Sequence, residues 1–404
     1  MSVARSKRFF AIVAVLTMLA MTVAGCGGDN GDTDTGENGA TGDMVDIKIG
    51  VSSPFTGDVA ALGTGIRNGA QLAVEEAAVE LAELGINLTM LAVDDAADPR
   101  QGVNAANQMV SDPAVVGVVA HLNSGVSIPA SEVYNQAGIV QVSPASTNPA
   151  LTLQGFENVF RVCTIDTVQG SFAAEYAYDV LGLSSVAVID DSTAYGEGLA
   201  AEFAAAFEAK GGDVVSTDKI QLREVDFTAL VTNINAASPD FIYFGGMYTE
   251  AGLISKQAKE AGFEGPLMGG DGLYTAQYVD IAGAANAEGD FATSIGLPLS
   301  EQPKGQEFQA AFEERFPGEA IEAYDTYGYD ATMVIVEAIK VVAADLGVDE
   351  LRTPAGKQAI IEAVAATNFE GVTGLVTFDE NGDTLNEAVT PYVVRDGAWV
   401  PYTD

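Results

Sequence analysis

The stretch from Val115 to Thr147 constrains this chain more than any other. Val115–Ala120 (VVGVVA) is apolar without alternation, the pattern of a parallel strand covered on both faces. Asn123-Ser124-Gly125 breaks the run and offers N-cap chemistry for a helix. Pro129 is expected near the first turn of that helix, where proline is tolerated. Gly138 ends the helix and residues 139–142 form the next strand. Ser143-Pro144-Ala145-Ser146-Thr147 follows as a hydroxyl-rich turn, closed by Pro149. Two successive strands therefore end in small polar loops at one edge of a sheet, where open α/β folds bind ligands. Ser124 and Thr147 can each offer a hydroxyl and neighbouring N–H groups to an anion. On residue types alone, the same loops also read as ordinary connections with capping hydroxyls.

The surrounding chain repeats this rhythm. Residues 46–52 read as a strand. Leu62, Ile66, Ala70, Ala73, Ala77 and Leu81 then recur at helical spacing. A strand at 88–93, a helix at Pro99–Ser111 and a strand at 159–163 complete a first α/β unit. A second unit follows, with helices at 171–181, 195–210, 227–236 and 248–261. They alternate with strands at 186–189, 214–220, 241–244 and Leu267–Gly269. A strand at 291–296 leads to helices at 304–316, 321–346 and 354–367. Segments 375–378 and 389–399 are expected to close as a hairpin, with Asn381-Gly382 as its turn.

The 404 residues suffice for two domains. Acidic residues outnumber basic ones 57 to 18, a net charge of −39. Such a surface repels phosphate backbones, which excludes nucleic acid as a partner. At the N-terminus, Arg5, Lys7 and Arg8 precede an apolar run over 9–24 that is short for a membrane span. The run ends Thr22-Val23-Ala24-Gly25-Cys26, which resembles the lipobox of bacterial lipoproteins. That resemblance implies a signal peptide over 1–25 and lipidation of Cys26. Residues 26–44, rich in Gly, Asp and Thr, are expected to be a flexible acidic tether.

Little here suggests catalysis. HExxH, GxSxG and Walker patterns are missing. His121 is the only histidine and is expected to be structural, and Cys163 sits in an apolar strand and reads as a buried thiol. Asp94-Asp95 and Asp190-Asp191 end strands, but neighbouring strand residues point to opposite faces and cannot share a substrate. With two cysteines and one histidine, no multi-cysteine zinc site is expected, and neither a metal nor a cofactor is called for.

The chain resembles the type I periplasmic binding proteins, more narrowly the leucine/isoleucine/valine-binding proteins of branched-chain amino acid ABC transporters. The resemblance runs from Asp46 to about Tyr402. It rests on residues 49–57 with Gly69-Ala70, on Asp94-Asp95-Ala96-Ala97-Asp98-Pro99 and on His121-Leu122-Asn123-Ser124. Ser143-Pro144-Ala145-Ser146-Thr147, Tyr195-Gly196-Glu197-Gly198, Gly245-Gly246 and Met268-Gly269-Gly270-Asp271-Gly272 carry it further. By position, it implies that Ser124 and Thr147 hold a ligand α-carboxylate, joined by backbone groups at Asn123 and Ala145. Asp271 would take the α-ammonium, Tyr195 would close over the ligand, and Leu62 and Tyr324 would line the side-chain pocket. Met247 stands where the family often has tyrosine, with Tyr248 next. Leu62 replaces a pocket aromatic. Ala97 and Asn123 stand where some relatives have a disulfide.

The implied fold class is α/β, two doubly wound Rossmann-like lobes joined by three crossover hinge segments. These are expected near Thr164-Ile165, near Ser294-Ile295 and at 371–374. The first lobe would comprise 45–164 and 295–373, the second 165–294 and 374–404. The implied function is that of a monomeric, lipid-anchored extracytoplasmic receptor, not an enzyme. It would bind a branched-chain or other apolar amino acid and deliver it to permease subunits. Alternatives are a binder of small amides, urea or aromatic acids, a sensory module for a signalling receptor, and, in another class, a hydrolase using Asp94, Asp95 or His121.

Overall fold

The computed structural model describes residues 44–402. The export segment, Cys26 and all of the tether but its last residue lie outside the described residues. The first unit runs β1 (Val45–Ser53), α1 (Ala60–Glu83), β2 (Ile86–Asp94), α2 (Pro99–Ser111), β3 (Val115–Ala120), α3 (Ser124–Ala137), β4 (Val140–Ser143) and β5 (Val159–Arg161). Its strands form one parallel sheet in the order β2-β1-β3-β4-β5. All of β3 is buried, which is why it reads as an unbroken apolar run. Helix starts follow local chemistry. The Asp98 carboxylate accepts from the N–H groups of Arg100 and Gln101, with Pro99 at the first helical position.

The second unit runs α4 (Asp166–Glu175), β6 (Ser185–Asp190), α5 (Ala194–Lys210), β7 (Asp213–Lys219), α6 (Thr228–Ala237), β8 (Phe241–Gly245), α7 (Tyr248–Glu260), β9 (Leu267–Gly269), α8 (Ala276–Ala282), α9 (Ala284–Ala287) and β10 (Phe291–Ile295). The chain then adds α10 (Gly305–Arg315), α11 (Asp325–Leu346), α12 (Pro354–Ala365), β11 (Phe369–Glu370), β12 (Leu375–Val376), β13 (Val389–Arg395) and β14 (Ala398–Pro401). The second sheet is ordered β14-β13-β10-β9-β8-β6-β7. Read from the other edge, β7-β6-β8-β9-β10 repeats the order of the first sheet. Each sheet thus has one switch point, β1/β3 and β6/β8, and each presents its strand C-termini there. Both lobes are doubly wound α/β units.

Helices α11 and α12 return to the first sheet, with α11 packed along α1. Close approach requires glycine there. A Cβ on Gly69 would lie 1.9 Å from the Asp325 carbonyl oxygen, and one on Gly328 would lie 2.5 Å from that of Ile66. The Asp330 carboxylate on α11 then pins the third crossover. It accepts from the N–H groups of Val372 and Thr373, both at 2.8 Å, and from the Thr373 hydroxyl at 2.6 Å.

Three local expectations are corrected, and one helix is added. Asn381-Gly382 does form a turn, closed by the Phe378–Thr384 bridge, but it joins no hairpin of 375–378 with 389–399. β12 pairs with β11, and β13 pairs with β10 and β14. The hairpin turn is Asp396-Gly397, both left-handed (φ 51° and 78°) as a tight two-residue loop requires. Pro129 lies inside α3, beyond its first turn. α4 begins at Asp166, five residues ahead of the expected start. α8, capped by the Thr275 hydroxyl, is an added helix, and its seven residues are too few to show a helical period in the sequence.

Candidate functional site

The loops after β3 and β4 are stitched together by serines. Ser143 Oγ donates to the His121 carbonyl at 3.2 Å. Ser146 Oγ lies 3.1 Å from that same oxygen, 3.0 Å from the Leu122 carbonyl and 2.5 Å from Ser127 Oγ. The His121 ring is buried between Asp95 (Nδ1 to Oδ2, 2.7 Å) and the Tyr134 hydroxyl (Nε2, 3.2 Å). Both ring nitrogens are engaged, so the histidine braces the loops. Asp94 is also occupied, accepting from the N–H groups of Phe55 and Ala96.

On this frame sit the hydroxyls singled out above. Ser124 is wholly buried and its Oγ accepts the Asn148 N–H at 3.3 Å, which leaves its own proton free to donate. Thr147 is equally buried, and its Oγ1 has no hydrogen-bond partner among the described residues. Asn123 is the N-cap of α3 but makes no side-chain cap, and its Oδ1 is likewise unpartnered. The first-turn N–H groups of α3 carry the positive end of the helix dipole. Ala145 is buried between the two hydroxyls in sequence.

The second lobe contributes Asp271, which follows β9 and Gly270 and is wholly buried. Its Oδ1 accepts the Tyr195 hydroxyl and its Oδ2 the Tyr324 hydroxyl, each at 2.7 Å. Tyr195 lies in the first turn of α5, and its oxygen also accepts the Gly272 N–H at 3.2 Å. Tyr324 is the N-cap of α11, so the Tyr324–Asp271 bond ties the helix on the first sheet to a loop of the second. Burial raises the Asp271 carboxyl above the ordinary aspartate value, and the two tyrosine hydroxyls oppose it. A carboxylate so held keeps lone pairs for a third donor. Leu62 is wholly buried on α1, and Met247 caps α7.

Reading the sequence missed Asp166, Gln169 and Tyr243. Asp166 opens α4 immediately after the first crossover. It is wholly buried, and neither carboxylate oxygen has a partner among the described residues. Burial pushes its carboxyl up to about 8, with the Asp271 charge adding to the rise and the Thr147 hydroxyl and Arg161 opposing it. Gln169 Oε1 and the Tyr243 hydroxyl are also buried without partners. The spacing of Asp166 and Gln169, three apart at a helix start, was the available signal. Cys163 is buried and free, and burial raises its thiol well above the usual range.

A cleft of about 470 Å³ opens between the lobes. Asn123, Tyr195 and Met247 line it, together with Val59 and Ala97 from the first lobe and Asp191 and Glu250 from the second. The lobes touch across it through Asn148 Nδ2 to the Ala194 carbonyl (2.6 Å) and Arg223 to Asp58 (2.9 Å). Ser124, Thr147, Asp271, Tyr324, Ala145 and Leu62 do not line this opening and are buried.

The family model described as periplasmic binding protein matches residues 46–398. The chain belongs to that family. This binding protein is 34% identical over 359 residues to the Leu/Ile/Val-binding protein homolog 3 of Brucella melitensis biotype 1, covering 89% of this chain and 94% of the relative. Among solved structures, it is similar to the leucine-binding protein LivK of Thermotoga maritima, with a TM-score of 0.80 and 30% identity over 88% of this chain and 98% of that one. It is also similar to the branched-chain amino acid substrate-binding protein LivJ of Streptococcus pneumoniae, crystallised with isoleucine. There the TM-score is 0.77 and the identity 26%, over 88% of this chain and 99% of that one. This agrees with the fold class and family that the sequence motifs implied. Among the described residues of this binding protein, no helix is long and apolar enough to cross a membrane.

Proposed function

We propose that this chain is the extracytoplasmic solute-binding component of an ABC importer, holding a branched-chain or other apolar amino acid as a zwitterion between its lobes. Opposed chemistry within one buried region carries the reading. The first lobe supplies the Ser124 and Thr147 hydroxyls and the N-terminus of α3, which suit a carboxylate. The second supplies Asp271 and the buried Asp166, whose carboxyl feels both the Thr147 hydroxyl and the Asp271 charge, which suits an ammonium. The names of the relatives support an apolar side chain, as do Leu62 and Met247 at the pocket positions. Closure about the three crossovers would bring the two ends together and present a joined surface to the permease. No bond of the ligand is made or broken.

Calorimetry on Asp271→Asn tests the reading. A charge-assisted hydrogen bond contributes about 1.5–3 kcal/mol, roughly ten- to a hundred-fold in affinity. The variant should lose at least that for L-leucine and much less for its deaminated analogue. Parental affinity in the variant would remove the zwitterion and move an amide or aromatic-acid ligand ahead.

Anchoring is proposed through Cys26 alone, outside the described residues. Cys26→Ser should release the protein from membranes with ligand affinity unchanged, and retention on the membrane would count against it.

A further inference from the structure

Arg161, the last residue of β5, is wholly buried. A buried guanidinium is costly unless its donors are engaged, and here every nitrogen is. Nε donates to Asp383 Oδ1 at 2.5 Å and Nη2 to the Thr152 hydroxyl at 2.7 Å. Nη1 donates to two backbone carbonyls, Ser146 at 2.8 Å and Asn148 at 2.9 Å. Those carbonyls flank Thr147. The Thr147 carbonyl itself accepts the Asp166 N–H at 2.9 Å, so three successive peptide oxygens are held. The Thr147 hydroxyl has no full hydrogen bond among the described residues, though it acts on the Asp166 carboxyl, and the backbone that carries it is what this clamp holds.

Asp383 reaches Arg161 by a distinct route. It belongs to the segment that follows the third crossover and that goes on to pair with the second sheet as β13 and β14. The turn before it is shaped by Asp379, whose carboxylate accepts the N–H groups of Asn381 and Asp383. Gly382 lies flat on β5. Its carbonyl accepts the Arg161 N–H at 3.0 Å, and a Cβ there would stand 2.3 Å from the Val159 carbonyl oxygen. The Asp383 carboxylate also accepts the Thr152 hydroxyl at 3.0 Å, which fixes it from a second side.

We infer that Arg161 and Asp383 act as a pair of positioning residues for the ligand. Arg161 clamps the peptides on either side of Thr147, and Asp383 fixes the clamp. The chain beyond the third crossover thereby sets the aim of a hydroxyl in the first lobe. The inference rests on the ligand reading proposed above. Removing the guanidinium would take the Nη1 donor from the Ser146 and Asn148 carbonyls, at a cost in stability, and leave the loop free to turn.

A double-mutant cycle with L-leucine, read by titration calorimetry, decides between clamp and scaffold. In the parent, Thr147→Ala should weaken leucine about tenfold or more. Asp383→Asn alone should weaken it by about the same factor. In the Asp383→Asn background, the further change Thr147→Ala should cost less than about threefold, because the hydroxyl is already misdirected. A merely structural pair would lower the melting temperature and leave the Thr147→Ala factor unchanged between backgrounds, and that result overturns the inference. Should Asp383→Asn not fold at the assay temperature, the same cycle runs on Arg161→Lys, which keeps the charge and loses the fork. If Thr147→Ala has no effect in the parent, or the parent binds none of leucine, isoleucine and valine, the ligand reading fails first and takes this inference with it.

Discussion

Asp271 and Asp166 are both wholly buried, each beside the boundary between the lobes, yet they are held in opposite ways. Asp271 receives a tyrosine hydroxyl on each oxygen. Among the described residues, neither Asp166 oxygen has a full hydrogen bond, only the Thr147 hydroxyl opposing the rise of its carboxyl, and Arg161 spends its donors on Asp383, Thr152 and the Ser146 and Asn148 carbonyls. Burial raises both carboxyls; two tyrosine hydroxyls oppose the rise at Asp271, and the Thr147 hydroxyl opposes it at Asp166. The difference separates two tasks. Asp271 is held by two fixed hydroxyl donors before any ligand arrives, and the burial of Asp166 is left to be offset by a cation that arrives beside it. In the proposed zwitterion site, that cation is the ligand ammonium.

The strongest way to break the comparison is Asp166→Asn. The folded-state value of Asp166 is raised, up to about 8 from an ordinary value near 4. A raised value means that folding favours the protonated form. Stability is therefore fully present below about pH 4 and is lost as pH climbs through about 8. The full penalty is on the order of 5 kcal/mol at alkaline pH. An asparagine amide at this position does not ionise and would carry no such penalty. In thermal melts without ligand, Asp166→Asn should match the parent near pH 4 and exceed its melting temperature increasingly towards pH 8. With leucine present the order should reverse, because the parent gains a counter-charge that the variant cannot use. A difference that stays flat with pH would mean that Asp166 does not titrate in this window.

How much of this could be read beforehand depended on the range of the forces involved. β3, α3 and β4 were legible because a strand buried on both faces is apolar throughout and because caps are local chemistry. The two turns near the C-terminus show the limit. Asn381-Gly382 and Asp396-Gly397 carry the same local signal, and both turn, but only the second joins paired strands. Strand partners are chosen by the whole sheet. The residue types at the site stood out because hydroxyls at strand ends are conspicuous, and Asp271 is conspicuous between two glycines. Asp166 was not, since an acid at a helix start is usually a solvated cap, and its burial comes from α5 packing over it. A Cβ on Gly198 would lie only 3.3 Å from Asp166 Oδ2. Tyr324 stood in the sequence as a pocket aromatic. Its bond to Asp271, 53 residues away, exists only once both lobes are in place.

The smaller test sharpens the comparison by making Asp271 resemble Asp166. Tyr324→Phe removes one hydroxyl and leaves Asp271 Oδ2 buried without that donor. Tyr195→Phe removes the other and also strands the Gly272 N–H, which donates to the same oxygen. Each loss of a buried donor costs about 1–3 kcal/mol of stability, so Tyr195→Phe should destabilise more than Tyr324→Phe. The hydroxyls lower the Asp271 carboxyl against the push of burial, so either change should move its titration upward. The sign then follows that of Asp166: the cost of each variant grows as pH rises, because the ionised form is the one that has lost its donor. Urea unfolding of both variants at pH 5 and pH 8 measures this directly. Costs that are equal in the two variants and flat with pH would show that the tyrosines merely fill space, and the distinction between the two aspartates would then fall.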